Sequence, residues 1–222
     1  MTSNTTTTGN VKTHTVVIVG GGAAGISVAS SIHKRDSNID IAIIEPATRH
    51  HYQPGWTMVG GGVFRPEVTS KPMAEVMPAF VSWYQQPVSA IDQDNNRVTL
   101  GDGSSMEYKA LVLAPGLELN WGGIEGLEEA LGSNGVTSNY REGMASYTWD
   151  LVQNLKNGRA LFSQPPMPIK CAGAPQKAMY LSADYWLKHG ELNNLDIQFH
   201  HAGAVLFGVA DSVPALAVHT QK

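Results

Sequence analysis

Cysteine is almost absent from this chain: the 222 residues contain one, Cys171. A single thiol excludes an intramolecular disulfide and any multi-cysteine metal cage within the chain. Charge is sparse as well. Fifteen Lys and Arg against nineteen Asp and Glu leave a net charge of -4, so the basic footprint needed by a nucleic-acid binder is missing. No apolar run approaches the roughly 18 residues that span a bilayer. The start of the chain, Met1 to Asn10, is rich in Thr and Asn and has no hydrophobic stretch, so it does not read as a secretory signal. Residues 1–13 are expected to form a disordered tail. The histidine pairs His50-His51 and His200-His201 are adjacent, which on a strand points them to opposite faces. No i,i+4 pair with supporting carboxylates accompanies them, and no metal site is expected.

What is present is a folded chain with many close turns. The apolar fraction is 42%, enough for a sizeable core, and 23 glycines with 12 prolines suggest tight turns rather than disorder. Thr15 to Val19 is a β-branched apolar run that reads as a buried parallel strand. It leads into Gly20-Gly21-Gly22-Ala23-Ala24-Gly25, then a helix predicted over Ile26–Lys34 and a second strand over Ile39–Ile44 that closes on Glu45. A GxGxxG run alone is a weak signal. Here it follows a strand, opens a helix, and is answered by an acidic residue 20 positions after Gly25. Gly20 makes the turn, Gly22 lets the backbone approach a pyrophosphate, and Gly25 lets the helix pack on the strand. The helix N-terminus offers free amides to the phosphates, and Glu45 can accept from a ribose hydroxyl.

Downstream, Pro46 to Pro78 shows no clear alternation of helix and strand. Strand-like pieces follow at Gln86–Ile91, Arg97–Leu100, Met106–Tyr108 and Leu111–Ala114, separated by Asp94-Asn95-Asn96 and by Gly101-Asp102-Gly103-Ser104. A β-meander followed by ALVLAPG resembles the layout of flavoprotein reductases, which makes FAD the first choice of ligand and NAD the second. The predicted class is α/β, an FAD/NAD(P)-binding Rossmann-like two-dinucleotide-binding-domain flavoprotein. Its expected FAD-binding domain covers 14–118. A linker and the first part of a second, incomplete domain cover 119–222.

The second half repeats the unit: a helix over Ser146–Leu155, a strand over Arg159–Ser163, a helix over Pro175–His189, and a strand over Leu195–His200. The turn between strand and helix carries prolines and Cys171 in place of glycines. Proline lacks the amide that a phosphate cradle needs, so this turn is unsuited to NADH. Cys171 precedes a predicted helix N-terminus, with Lys170 adjacent and Lys177 close by, a setting that favours a reactive thiol. Among the tryptophans, Trp56 is a candidate to approach a flavin.

The string PIKCAGAPQKAMYLSADYW resembles the segment around the first redox cysteine of sulfide:quinone oxidoreductases of the mitochondrial-type branch. EPATRHHYQPGWTMVGGG and the stretch from GSNGVTSNY to SYTWD are similar to two further segments of that family, and the resemblance runs from about Thr15 to Val218. It implies a peripheral membrane flavoenzyme that oxidises sulfide at a cysteine pair and sends two electrons through FAD to a quinone. Cys171 matches the cysteine of the persulfide and disulfide cycle. Ala23, Ala24 and Glu45 match contacts to the adenosine diphosphate, and Gln53 and Val88 match further FAD contacts. The family's second cysteine and its membrane contacts have no counterpart in these residues, so the chain reads as an amino-terminal half. It is expected to be peripheral to a membrane or cytoplasmic, with a homo-oligomer left open. Two other readings stand beside this one: a non-catalytic dinucleotide-binding remnant, and an NADH-dependent flavin reductase.

Overall fold

The computed structural model describes residues 11–203, together with 206, 210–214 and 217. The tail expected over Met1–Asn10 lies outside the described residues, as does most of the strand-loop-helix stretch read from Ala204 to Val218. The elements run β1 (Lys12–Val19), α1 (Ala23–Arg35), β2 (Ile41–Ile44), β3 (Arg49–His51), α2 (Pro54–Gly60), β4 (Ser70–Pro72), α3 (Met73–Val76) and β5 (Ser82–Tyr84). There follow β6 (Val88–Asp92), β7 (Arg97–Leu100), β8 (Ser105–Leu113), α4 (Leu127–Ala130) and α5 (Met144–Asn154). The last are β9 (Gly158–Gln164), α6 (Ala174–Lys188) and β10 (Leu195–His201). Two compact units contain them: Met1–His51 with Ser70–Asn120, and Tyr52–Thr69 with Trp121–Lys222.

The first unit is a six-stranded sheet in the order β5-β2-β1-β8-β7-β6. Strands β5, β2, β1 and β8 run parallel, and β8, β7 and β6 form an antiparallel meander. Successive side chains along the parallel strands point to opposite faces of the sheet. Val16, Ile18, Ile41 and Ile43 pack with Ala29 of α1 on one side. Val17, Ala42 and Ile44 pack on the other with Val98, Leu100, Met106 and Tyr108. Both faces are covered, which is why these strands read as continuous apolar runs. This is the α/β Rossmann-like fold.

Several bounds differ from expectation. β1 starts at Lys12, so residues 12 and 13 are strand rather than tail. The two pieces at Met106–Tyr108 and Leu111–Ala114 are one strand, since β8 pairs with β7 at its start and with β1 along its length. The stretch after Glu45 does hold regular structure. Strands β3 and β4 form a small antiparallel pair, and β5 adds an edge to the main sheet beside β2. β5 has only three residues, and tertiary contacts pin it. Trp83 Nε1 donates to the Glu45 carbonyl at 2.9 Å, and the Tyr84 hydroxyl lies 2.8 Å from Nε2 of the buried His14.

In the second unit β9 and β10 pair in parallel, in register from Gly158 with Leu195 to Gln164 with His201. Trp186 of α6, 1% exposed, anchors its core against Val152 and Ala160 and donates from Nε1 to the Val152 carbonyl at 2.9 Å. Helix α2 packs here too. A Cβ on Gly60 would fall 2.4 Å from Asn139 Oδ1, one on Gly61 2.6 Å from Leu181 Cδ1, and one on Gly62 2.4 Å from the Trp149 ring. The glycine triplet therefore lets the end of α2 pack closely against α5, α6 and the loop at Asn139. Trp56 joins Val59 and Ala145 in that packing as a core residue of this unit. Among the described residues no helix is long and apolar enough to cross a membrane.

Candidate functional site

The turn from β1 to α1 is built on contacts that only glycine permits. Gly20 has φ +102°, and a Cβ there would sit 2.1 Å from the Ala114 carbonyl oxygen at the end of β8. A Cβ on Gly25 would sit 1.9 Å from the Gly20 carbonyl oxygen, so this residue sets how closely α1 approaches β1. Gly22 differs: a Cβ there would meet nothing within 4 Å, which leaves its side of the turn open to an approaching group. The first amides of α1, at Gly22, Ala23, Ala24 and Gly25, have no acceptor within a helix. No side chain caps them, and the first turn carries no acidic residue. Their partial positive charge thus remains for an anion, while His33, Lys34 and Arg35 complement the dipole at the other end.

Glu45 stands at the end of β2 beside this turn. Its Oε2 accepts from the Gly21 amide at 2.7 Å, and its Oε1 accepts from the Ala47 amide at 2.8 Å. Two amides fix the carboxylate, and each oxygen keeps a further lone pair for a hydroxyl donor. Gly21 was not singled out in the sequence, yet it matters: a Cβ there would lie 2.7 Å from Glu45 Cγ. The turn, the unneutralised helix start and the held carboxylate fit the adenosine-diphosphate end of a dinucleotide.

The second unit carries the thiol. Cys171 is exposed and free, in the loop between β9 and α6. Its φ is +59°, a left-handed conformation that costs a residue with a Cβ roughly 1–2 kcal/mol. Its carbonyl accepts from the Ala174 amide at 2.9 Å, a turn that leads into α6. The Tyr140 hydroxyl lies 2.7 Å from the Lys170 carbonyl and 3.2 Å from that of Cys171, and donates its one proton chiefly to the nearer. Burial first, and then negative charge at Cys171, push the Tyr140 phenol up to about 12. Lys170 Nζ donates to Gln53 Oε1 at 2.6 Å. Partial burial pulls the Lys170 ammonium below the usual lysine range, and negative charge at Cys171 opposes it.

The fold thus gathers Gly20, Gly22, Ala23, Ala24, Gly25 and Glu45 into one turn of the first unit. Gln53 stands with Lys170 and Cys171 in the second. Val88, in β6, packs its side chain against the core of the first unit and pairs with Leu100 of β7. Tyr140 closes the string GSNGVTSNY, which gives it no role of its own; geometry brings its hydroxyl to the cysteine loop.

The chain matches the family model described as pyridine nucleotide-disulphide oxidoreductase over residues 14–163. It belongs to that family, whose members use a flavin. Among curated proteins it is 43% identical over 196 residues to the mitochondrial sulfide:quinone oxidoreductase of Dictyostelium discoideum, covering 87% of this chain and 43% of that one. Identity to the mitochondrial sulfide:quinone oxidoreductase of Mus musculus is 38% over 201 residues, with 90% and 45% covered. The crystal structure of the Aquifex aeolicus sulfide:quinone oxidoreductase superposes with a TM-score of 0.78 at 25% identity, covering 95% of this chain and 49% of that one. The chain spans about half the length of the relatives it matches.

Proposed function

We propose that this chain forms the FAD-binding and thiol-bearing part of a sulfide:quinone oxidoreductase. The observation that carries the reading is the coincidence of two features in one chain similar to such enzymes. One is a glycine turn with a held carboxylate, and the other is an exposed cysteine at the corresponding turn of the second unit. In this reading the amides at Gly22, Ala23 and Ala24 hold the pyrophosphate of FAD. Gly20 and Gly25 keep the turn tight, and Glu45 takes the ribose hydroxyls. Gln53 and Val88 provide further contacts. FAD, when bound, supplies the two-electron acceptor for sulfide oxidation and the donor for a quinone.

Cys171 is the thiol that meets sulfide. When it is paired as a disulfide with a second thiol, hydrosulfide attack breaks that S–S bond and forms a persulfide S–S bond, releasing one thiolate. The two electrons left on that thiolate are those destined for FAD. With one cysteine in the sequence, the second thiol must come from outside these residues. Prolines at 165, 166 and 168 deny the second turn the amides that NADH would need, which supports a donor other than a nicotinamide.

The test is the visible spectrum of the purified chain loaded with FAD, before and after adding sulfide without oxygen, with a low-molecular-weight disulfide supplying the second sulfur. Bleaching that is lost in Cys171→Ser is the expected result. Bleaching that survives unchanged in Cys171→Ser, or no bleaching at all, overturns the reading.

A further inference from the structure

We infer that Tyr140 is a positioning residue for Cys171: its hydroxyl braces the two carbonyls that hold the cysteine in its left-handed conformation. This rests on the reading of Cys171 as the reactive thiol. Three observations lead to it. First, the peptide units on both sides of Cys171 place their carbonyl oxygens within 2.7 and 3.2 Å of the one phenol oxygen, from a residue 31 positions earlier in the chain. Second, Cys171 is one of three residues other than glycine with positive φ among those described, and the other two are asparagines, which tolerate that region through their short polar side chains. A cysteine has no such compensation and relies on its surroundings. Third, the residue before it is fixed at both ends: the Lys170 carbonyl by Tyr140, and the Lys170 ammonium by Gln53.

The loop's direction follows from this bracing. Releasing the two carbonyls would let Cys171 relax to negative φ, and a change of sign in φ swings the Cα–Cβ bond and carries the sulfur with it. Tyr140 touches no reacting atom in this account. It acts through the main chain of Lys170 and Cys171, and its half-buried ring, retained in Tyr140→Phe, keeps the packing of the loop.

The single cysteine makes the test direct. The chain is alkylated at Cys171 with 3-bromo-1,1,1-trifluoroacetone, and the ¹⁹F spectrum of wild type is compared with that of Tyr140→Phe. Wild type is expected to give one narrow line and Tyr140→Phe a broadened or split one. In the unlabelled, FAD-loaded chain the rate of bleaching by sulfide should fall about fivefold, the equilibrium factor that one hydrogen bond of ordinary net strength controls. A line in Tyr140→Phe as narrow as that of wild type overturns the inference. Should Tyr140→Phe fail to fold, Tyr140→p-aminophenylalanine keeps an N–H donor at the same ring position. It must restore the wild-type line, and failure to do so also overturns the inference. If wild type does not bleach with sulfide, the proposed function falls, while the ¹⁹F comparison still decides whether Tyr140 orients Cys171.

Discussion

The chain contains two strand-turn-helix-strand units, β1-α1-β2 and β9-α6-β10, whose turns solve opposite problems. The first turn, Gly20 to Gly25, is stripped of side chains so that backbone can approach backbone: hypothetical Cβ atoms at its two ends would lie about 2 Å from carbonyl oxygens. The second runs through prolines and ends with a cysteine in a conformation that glycine would adopt more readily. One turn removes Cβ atoms to expose amides. The other keeps a strained Cβ to present a sulfur. In the proposed reading the same local topology serves as a cradle for phosphate or a mount for a thiol, according to which atoms the turn exposes.

The largest expected effect breaks the first turn. In Gly25→Ala the new methyl would sit 1.9 Å from the Gly20 carbonyl oxygen, an atom held in main chain that cannot step aside. A loss of roughly 3 kcal/mol is expected, at the upper end of overpacking penalties. Flavin content should fall together with the urea midpoint. A variant that purifies yellow and as stable as wild type would show that the closeness of α1 to β1 is not needed for the cradle.

Next in size is the glycine triplet at the end of α2, which is packed against side chains of the second unit. Gly62→Ala puts a methyl 2.4 Å from the Trp149 ring at a φ of +72°, so crowding and backbone strain act together. About 2 kcal/mol should be lost from the second unit. FAD affinity should stay within about twofold, an energy difference of roughly 0.4 kcal/mol. Strong loss of flavin with unchanged stability would instead assign the triplet to the ligand.

Much of the first unit was legible in the sequence because its signals are local. Val16 to Val19 is continuously apolar, Glu45 falls at the right distance from Gly25, and Arg97–Leu100 is bounded by turn residues on both sides. The three-residue β5 carried no such signal. Its strand state depends on Glu45, His14 and β2, all distant in sequence. The triplet Gly60-Gly61-Gly62 was visible as a run, but its cause lies in Asn139, Leu181 and Trp149. At the candidate site, the glycines, Glu45 and Cys171 could be read from motif and position. The hydroxyl of Tyr140 and the link from Lys170 to Gln53 could not, since sequence separations of 31 and 117 leave no pattern behind.

The strain at Cys171 gives a smaller effect that sharpens the comparison. Cys171→Gly and Cys171→Ala both remove the sulfur, but only glycine accepts a φ of +59° without penalty. Cys171→Gly should therefore be the more stable of the two by about 1 kcal/mol in urea unfolding. Both should be inert toward sulfide. Equal stabilities would mean that the loop relaxes freely once the thiol is gone, and that the conformation belongs to the cysteine rather than to its bracing.

The smallest effect lies in alkaline stability and reads the brace itself. The folded chain holds the Tyr140 proton more tightly than the unfolded chain, with the phenol pushed from 10.0 to about 12 by burial and by negative charge at Cys171. A raised folded value means that the unfolded state loses its proton first, so this contribution is complete below pH 10 and is lost as pH rises through about 12. The group is only half buried and solvent screens it, so about 1 kcal/mol is the most it should supply. Urea unfolding at pH 9 and near pH 11.5 should therefore show wild type losing more stability than Tyr140→Phe, the other tyrosines and lysines cancelling in the difference. Parallel losses in the two proteins would mean that the phenol proton is not held by the Lys170 and Cys171 carbonyls in solution. The second turn would then keep its cysteine in place by the Lys170–Gln53 link alone.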